Sequence, residues 1–318
     1  MYDVIALGEL LIDFTPSGRS PAGMRLFEQN PGGAPANVLC ALSNLGKRTG
    51  FIGKVGADMH GDFLKGVLEE KGVNTQGLIL DPNVFTTLAF VALSDTGERS
   101  FSFARKPGAD TCLRDDELNI ELLEHCKVFH FGSLSLTSEP SRSATLAGVH
   151  AAKRAGAIIS YDPNYRGSLW PNQEAAVTQM RSVLDLVDVI KISEEETALL
   201  TGRPSPSGAA SELLGRGIGC AVVTLGKDGA YAATSSANIQ LPAPDCHVVD
   251  TTGAGDAFWG GFLYKLLEEK INPSELSKGN LLDFVRFASL VASLCVQKRG
   301  AIPAMPSLEE IMALSSRQ

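Results

Sequence analysis

The middle and C-terminal parts of the chain alternate short apolar runs with longer helical patterns. The runs are rich in β-branched and aromatic residues, and they include VFHFGSLSL, AIISYDPN, VDVIKIS and CAVVTLG. Segments with helical spacing of apolar residues lie between them, such as SRSATLAGVHAAKRAG and EAAVTQMRSVLDLV. Because parallel strands need a crossover connection, this alternation predicts βαβ units. We therefore predict an α/β fold, a three-layer α/β/α sandwich with a mostly parallel central sheet.

Two regions break the alternation. Residues 11–31 offer short strand candidates joined by Pro, Ser and Gly, and residues 86–107 have the pattern of a hairpin with its turn at Asp95–Gly97. Both could be edge strands of the main sheet, but we favour a separate small β-sheet that forms a lid. A length of 318 residues suits one large α/β domain with such an appendage. We predict a single domain over residues 1–318.

The composition of the chain argues against several classes of partner and cellular location. A formal net charge of −8 argues against nucleic acid and anionic membranes as partners. The N-terminal segment MYDVIALGELLIDF lacks a basic n-region, and no stretch approaches about 18 uninterrupted apolar residues, so we expect neither a signal peptide nor a membrane span. The six cysteines are scattered without a CxxC pair, which favours reduced thiols and a cytoplasmic location.

The segment DTTGAGDAFWGG, from Asp250 to Gly261, places two carboxylates around a glycine turn. Apolar residues at Phe258, Phe262 and Leu266 follow at helical spacing, so a helix begins near Asp256. A helix N-terminus after a glycine turn can bind an anion through its backbone N–H groups. Asp256 is either an ordinary N-cap or a base beside that anion, as phosphoryl transfer requires.

The same segment, read as VVDTTGAGDAF, resembles the C-terminal signature of the ribokinase-like (PfkB) carbohydrate kinase family. NPGGAPANVLCALSNLG, residues 30–46, is similar to the other signature of that family. Within the family, GELLIDF, FARKPGAD, DPNYRGSLW and KISEEE look most like bacterial and plant fructokinases. The resemblance implies transfer of phosphate from ATP to D-fructose, giving fructose 6-phosphate. It leaves open a kinase for 2-keto-3-deoxygluconate, another sugar or a nucleoside, and a non-catalytic sugar-binding regulator on the same fold.

The resemblance also implies a role for individual residues. Asp256 would be the catalytic base, and Gly253, Ala254 and Gly255 would form the anion hole. The residues implied for the sugar are Asp13, Gly32, Gly33, Asn37, Phe103, Arg105 and Arg166. Those implied for the nucleotide are Lys191, Thr224, Gly226, Gly229 and Gly255. Glu196 would organise Mg²⁺ through water, and Asp250, Thr252 and Gly300 would form a K⁺ site.

Two of these implications have specific alternatives. Phe101 and Phe103 share one face of a predicted lid strand that Arg105 continues, so the three could close over a sugar and its incoming phosphate. The phenylalanines could equally form a lid core or a homodimer contact. In KISEEE, Ser193 replaces the asparagine of the family's usual NxxE, which puts the role of Ser193 in doubt, and the glutamates could simply be a charged helix start.

Overall fold

This computed structural model describes residues 1–93 and 99–315. For residues 92, 93, 99–101 and 315 it describes the backbone alone. Strands and α-helices alternate along much of the described chain. The strands are β1 (Tyr2–Leu7), β2 (Leu11–Arg19), β3 (Arg25–Gly32), β4 (Thr49–Gly56), β5 (Asn74–Asp81), β6 (Leu88–Leu93), β7 (Arg99–Ala104), β8 (Cys126–Gly132), β9 (Ile158–Asp162), β10 (Val189–Ser193), β11 (Cys220–Thr224), β12 (Ala230–Ala233) and β13 (Asn238–Leu241). The helices are α1 (Ala34–Asn44), α2 (Met59–Glu70), α3 (Ile120–Glu124), α4 (Ser141–Arg154), α5 (Gln173–Ser182), α6 (Glu194–Thr201), α7 (Pro206–Gly215), α8 (Ala254–Glu269), α9 (Lys278–Cys295) and α10 (Leu308–Ser315).

The main sheet has nine strands among the described residues, in the order β13-β12-β11-β10-β9-β8-β1-β4-β5. Its strands from β11 to β5 run parallel, and only β12 and β13 pair antiparallel to their neighbours. A parallel sheet must be covered on both faces. The residues of β1 show that both faces of this sheet are covered, because they alternate between two hydrophobic cores. Val4 and Ala6 belong to one hydrophobic core, whereas Ile5 and Leu7 belong to the other. The predicted α/β/α sandwich is confirmed.

A second, smaller sheet has the order β3-β2-β6-β7. Strands β2 and β6 pair in parallel, with Ile12 opposite Leu88, and β3 and β7 pair antiparallel at the two edges. We call these four strands the lid. They form a sheet of their own rather than edges of the main sheet, as expected. The predicted turn at Asp95–Gly97 lies outside the described residues, and the assignment of one kinase domain to residues 1–318 stays a prediction.

The order of the main sheet reverses beside β1. The chain passes from β1 to β4 and β5 on one side, and then returns to β8 on the other side of β1. In open parallel sheets, ligands bind at the carboxyl ends of the strands near such a reversal. Among the helices of the described residues, none combines the length and apolarity needed to cross a bilayer.

Candidate active site

A cleft of about 840 Å³ lies at this edge of the main sheet. It is lined by residues that follow β1, β9, β10 and β11, by the N-terminal turns of α1 and α8, and by Phe103 from the lid. Nineteen residues are implied for the site by the resemblance, and they are spread over more than two hundred positions of the sequence; fourteen of them meet in this cleft. Those that line the cleft are Asp13, Gly33, Asn37, Phe103, Arg166, Lys191, Glu196, Thr224, Gly226, Thr252, Gly253, Ala254, Gly255 and Asp256.

Helix α8 begins at Ala254, two residues earlier than the sequence suggested, and Gly253 is its N-cap. Gly253 has a φ of 76°, a left-handed conformation that favours glycine, and a Cβ there would lie 2.7 Å from the Cβ of Ala301. Asp256 is therefore the third residue of the helix and not its cap. The first turn of a helix has N–H groups without intrahelical acceptors, and these face the cleft end of α8.

The Asp256 side chain is buried, with 8% of its surface exposed, and it lines the cleft. Asn37 Nδ2, on α1, donates a hydrogen bond of 2.7 Å to Asp256 Oδ2. Burial raises the pKa of Asp256, although the ammonium of Lys191 opposes that rise. A carboxylate with a raised pKa accepts a proton more readily, so this arrangement suits a general base. No pattern in the sequence indicates this contact between Asn37 and Asp256.

Lys191, on β10, lies among three carboxylates, one at the end of β9 and the other two in the first turns of α6 and α8. Its Nζ is 2.5 Å from Asp162 Oδ2, and both side chains are buried. Burial alone would lower the pKa of Lys191, but the charges of Asp162, Asp256 and Glu196 raise it. Lys191 is therefore held in its charged form, and it offsets part of the negative charge of these carboxylates in the cleft.

Glu196 is buried beside this pair. One of its carboxylate oxygens accepts from the Tyr165 N–H at 2.6 Å and the other from the Ser193 N–H at 2.7 Å. Burial and the nearby Asp162 carboxylate raise the pKa of Glu196. Glu196 thus fixes the start of α6 and also faces the cleft. Within the described residues no group of three or more His, Cys, Asp and Glu side chains is placed to hold a metal ion directly.

Asp13, on lid strand β2, and Arg166, in the loop after β9, both line the cleft. Burial raises the pKa of Asp13 to about 6, and the charge of Arg166 opposes that rise. Gly32 lies under Asp13, since a Cβ on Gly32 would be 2.5 Å from Asp13 Oδ2. The structure thus brings the implied sugar residues Asp13, Gly33 and Asn37 to one end of the cleft.

Arg105 is placed differently from the expectation. Its Nη2 is 2.6 Å from Asp110 Oδ2, and its guanidinium also donates to Thr137 Oγ1 and to the Leu134 carbonyl oxygen. Its side chain is only 5% exposed, and it does not line the cleft in this structure. These contacts join the end of β7 to the loop after β8, because a guanidinium fork can satisfy several acceptors at once. The side chain of Phe101 lies outside the described part of the chain.

Gly229 also lies off the cleft. It has a φ of 94°, and a Cβ there would meet the Leu241 carbonyl oxygen at 1.9 Å. Gly229 therefore shapes the turn between β11 and β12, whereas Thr224 and Gly226 before it reach the cleft itself.

The three residues implied for K⁺ meet beside the start of α8. Asp250 Oδ1 accepts from Thr252 Oγ1 at 2.7 Å, and Asp250 Oδ2 accepts from the Gly300 N–H at 3.0 Å. A smaller cavity of about 130 Å³ lies against these residues and against Asp13. Their common location is consistent with a cation site, which stays a prediction.

Several cleft residues were not assigned a role from the sequence. Glu9, Asp162 and Asn164 are polar residues at or just after strand ends, which is the one signal that could have identified them. Asn164 has a φ of 45°, which is uncommon for a residue other than glycine.

Comparison with known proteins agrees with this geometry over the full length. Residues 1–308 match the model of the pfkB family carbohydrate kinases. Probable fructokinase-4 of Arabidopsis thaliana is 43% identical over 314 residues, covering 98% of this chain and 96% of the relative. The structure of fructokinase with bound ATP from Xylella fastidiosa superposes with a TM-score of 0.92 at 36% identity, covering 100% of this chain and 99% of that one.

A fructokinase from Vibrio cholerae O395, in a fructose, ADP and calcium ion bound form, superposes with a TM-score of 0.88 at 34% identity, with 98% of each chain covered. A family match over nearly all of the chain, with relatives well above 30% identity, goes beyond similarity of fold. This chain belongs to the pfkB family of carbohydrate kinases.

Proposed function

We propose that this protein is a fructokinase, which transfers the γ-phosphoryl group of ATP to the 6-hydroxyl of D-fructose. The observation that carries the proposal is the meeting of Asp256, the first turn of α8 and both implied substrate sites in one cleft. The fructokinases similar to this chain over its full length support fructose as the acceptor.

The chemistry follows from that arrangement. The hydroxyl oxygen of the sugar attacks the γ-phosphorus while Asp256 takes the hydroxyl proton. The bond from the γ-phosphorus to the oxygen that bridges it to the β-phosphorus breaks, and ADP leaves with that oxygen. N–H groups at the start of α8, from Gly253 to Gly255, stabilise charge on the phosphoryl oxygens. Asn37 holds the carboxylate in place through its hydrogen bond.

The cleft also offers the donor set that Mg²⁺ prefers. Asp162 and Glu196 are buried carboxylates at the ends of β9 and at the start of α6, and Asp162 Oδ1 has no hydrogen-bond donor among the described residues. Hard oxygen ligands of this kind, usually with intervening waters, suit Mg²⁺ near phosphates. When bound, Mg²⁺ neutralises phosphate charge.

A panel of acceptors tests the function. Fructose, other hexoses, ribose, 2-keto-3-deoxygluconate and nucleosides are each assayed with ATP and Mg²⁺, and we expect the highest kcat/KM with fructose. A clear advantage for 2-keto-3-deoxygluconate or for a nucleoside would assign the protein to another sugar or nucleoside kinase. Binding of fructose without any turnover would instead identify a non-catalytic regulator.

Asp250, Thr252 and Gly300 are proposed as a K⁺ site next to the anion hole. Their mutual hydrogen bonds join the loop before α8 to the segment after α9, and Ala301 of that second segment lies against Gly253. Replacing K⁺ by tetramethylammonium at equal ionic strength should lower kcat, because the bulky cation cannot enter such a site. An unchanged kcat would refute the proposed K⁺ site.

The lid carries exposed apolar side chains that suit a homodimer. Phe27 and Phe90 are 43% and 38% exposed, their ring centroids are 6.3 Å apart, and the Phe90 ring also stacks on Phe14 at 5.1 Å. Adjacent exposed aromatic side chains of this kind are typical of an interaction surface. Leu26, which is 44% exposed, precedes Phe27 on β3 and therefore lies on the other face of the lid. We propose that two copies pair through their lids. Sedimentation equilibrium at micromolar concentration should give twice the chain mass of 33.7 kDa, and the mass of one chain would exclude this pairing.

A further inference from the structure

Glu9 lies at the carboxyl end of β1, where the order of the main sheet reverses. It is 3% exposed, and it lines the cleft together with Asn37 and Asp256. The sequence motif GELLIDF contains it, but neither the motif nor the mechanism above uses its carboxylate. A buried carboxylate at the edge of a ligand cleft needs a physical reason, because burying an ionisable group is costly.

Among the described residues, a hydrogen-bond donor is found for one of the two carboxylate oxygens of Glu9. Glu9 Oε1 accepts a hydrogen bond of 2.9 Å from the Ala34 N–H, at the first residue of α1. Glu9 Oε2 is buried and has no donor among the described residues. Burial raises the pKa of Glu9 to about 7.

Asn37 shows the same pattern one turn along the same helix. Its Nδ2 donates to Asp256, whereas its Oδ1 is buried without a donor among the described residues. Two buried acceptors at the first turn of α1 thus lack donors, and both belong to side chains that line the cleft. A buried acceptor that stays unpaired destabilises the folded protein, so each one in a native structure needs an explanation, such as a bound water, an ion or a ligand.

Neighbouring charges do not satisfy Glu9. Arg105 and Asp110 are the charged groups that act on its carboxylate, but they form an ion pair with each other at 2.6 Å. The remaining donors of Arg105 reach Thr137 and the Leu134 carbonyl. No charged side chain therefore donates to Glu9 Oε2 among the described residues, whereas a polyhydroxylated ligand in the cleft would supply several O–H donors.

We propose that Glu9 is a further sugar-contacting residue, whose Oε2 accepts a hydrogen bond from one hydroxyl of the acceptor sugar while its Oε1 caps α1. Asn37 Oδ1 accepts from another hydroxyl. This inference rests on the proposed function, since it takes the sugar to occupy this end of the cleft. It makes Glu9 a determinant of specificity, because a buried acceptor left unpaired penalises an analogue that lacks the matching hydroxyl.

The Glu9→Gln variant separates the two roles of the side chain. Gln keeps the length of Glu, and its single carbonyl oxygen can accept either from the Ala34 N–H or from the sugar, but not from both. We expect KM for fructose to rise about 10- to 100-fold, with KM for ATP within about 2-fold of wild type. A side chain that only capped α1 would leave KM for fructose unchanged, because Gln can cap as well.

Deoxy analogues identify the contact itself. kcat/KM is measured for D-fructose and for its 1-deoxy, 3-deoxy and 4-deoxy analogues with wild type and with Glu9→Gln. The penalty for removing one particular hydroxyl should be large in wild type and should nearly vanish in the variant, while the other penalties stay equal in the two proteins. Thermal melting of the variant verifies that it is folded, and Glu9→Asp, which withdraws the same oxygens by one methylene, provides a second test by the same comparison.

The outcomes distinguish this inference from the proposed function. Equal kinetic constants in wild type and both variants, or equal deoxy penalties throughout, would overturn the contact with Glu9 alone. Failure of the wild-type protein to phosphorylate fructose would overturn the proposed function itself.

Discussion

Replacing Asp256 with Asn should lower kcat for fructose phosphorylation by about 10²- to 10⁴-fold, the usual contribution of a positioned base. The substitution keeps the size of the side chain and an oxygen that can still accept from Asn37, so the cleft should stay intact. An amide cannot take the hydroxyl proton, and the loss therefore falls on the chemical step. Calorimetry should show fructose and ATP binding within a few-fold of wild type.

Asp62 offers a matched control. It also lies in the first turn of a helix, α2, but its side chain is exposed. Asp62→Asn should leave kcat unchanged, whereas near-normal kcat in Asp256→Asn would refute the role of Asp256 as base.

In the wild-type protein, kcat should fall as the pH drops through the pKa of Asp256, because only the ionised form accepts a proton. Burial raises that pKa, so the loss should begin at a higher pH than an exposed aspartate would give.

Replacing Gly33 with Ala should destabilise the protein by at least about 3 kcal/mol and should abolish sugar binding. Gly33 is the N-cap of α1, and its φ of 120° is a backbone conformation that residues with a side chain rarely adopt. A Cβ there would lie 2.3 Å from the backbone oxygen of Glu9. To relieve this clash, the backbone at Gly33 or at Glu9 would have to shift, and both residues line the cleft. Urea unfolding and calorimetry with fructose measure the two effects.

The same substitution at Gly66 controls for the change of residue type. Gly66 lies inside α2 with open space around it, and we expect Gly66→Ala to stabilise the protein by about 0.5–1 kcal/mol, as Ala does inside helices. If Gly33→Ala were as stable as Gly66→Ala and still bound fructose, the close approach of Gly33 to Glu9 would have no role in the site.

Local sequence patterns predicted the layers of the fold and the start of α8. Apolar runs such as CAVVTLG predict a buried strand, and β11 is indeed buried on both faces. Such a run can be recognised from its own residues alone. The turn Gly253–Gly255 is similarly local. Helix α8 begins two residues before Asp256, because Ala254 and Gly255, which the sequence presents as part of a turn, are already helical.

Contacts between distant segments could not be predicted in this way. Asn37 and Asp256 are 219 positions apart, and only the packing of α1 against α8 brings them together. The ion pair of Arg105 is another such contact. A role at the sugar and its phosphate is expected because Arg105 continues the face of a lid strand, whereas the structure shows Arg105 Nε donating to Asp110, five residues on, after a bend in the chain that no periodicity describes.

The central claim is that Asp256 receives the proton of the sugar hydroxyl beside the first turn of α8. A crystal structure of the protein with fructose and a non-hydrolysable ATP analogue measures this most directly. We predict the 6-hydroxyl oxygen within about 3 Å of an Asp256 carboxylate oxygen, with the γ-phosphate of the analogue facing the N–H groups of Gly253–Gly255. A fructose bound in the cleft whose 6-hydroxyl points away from Asp256, while the nucleotide is in place, would contradict the account.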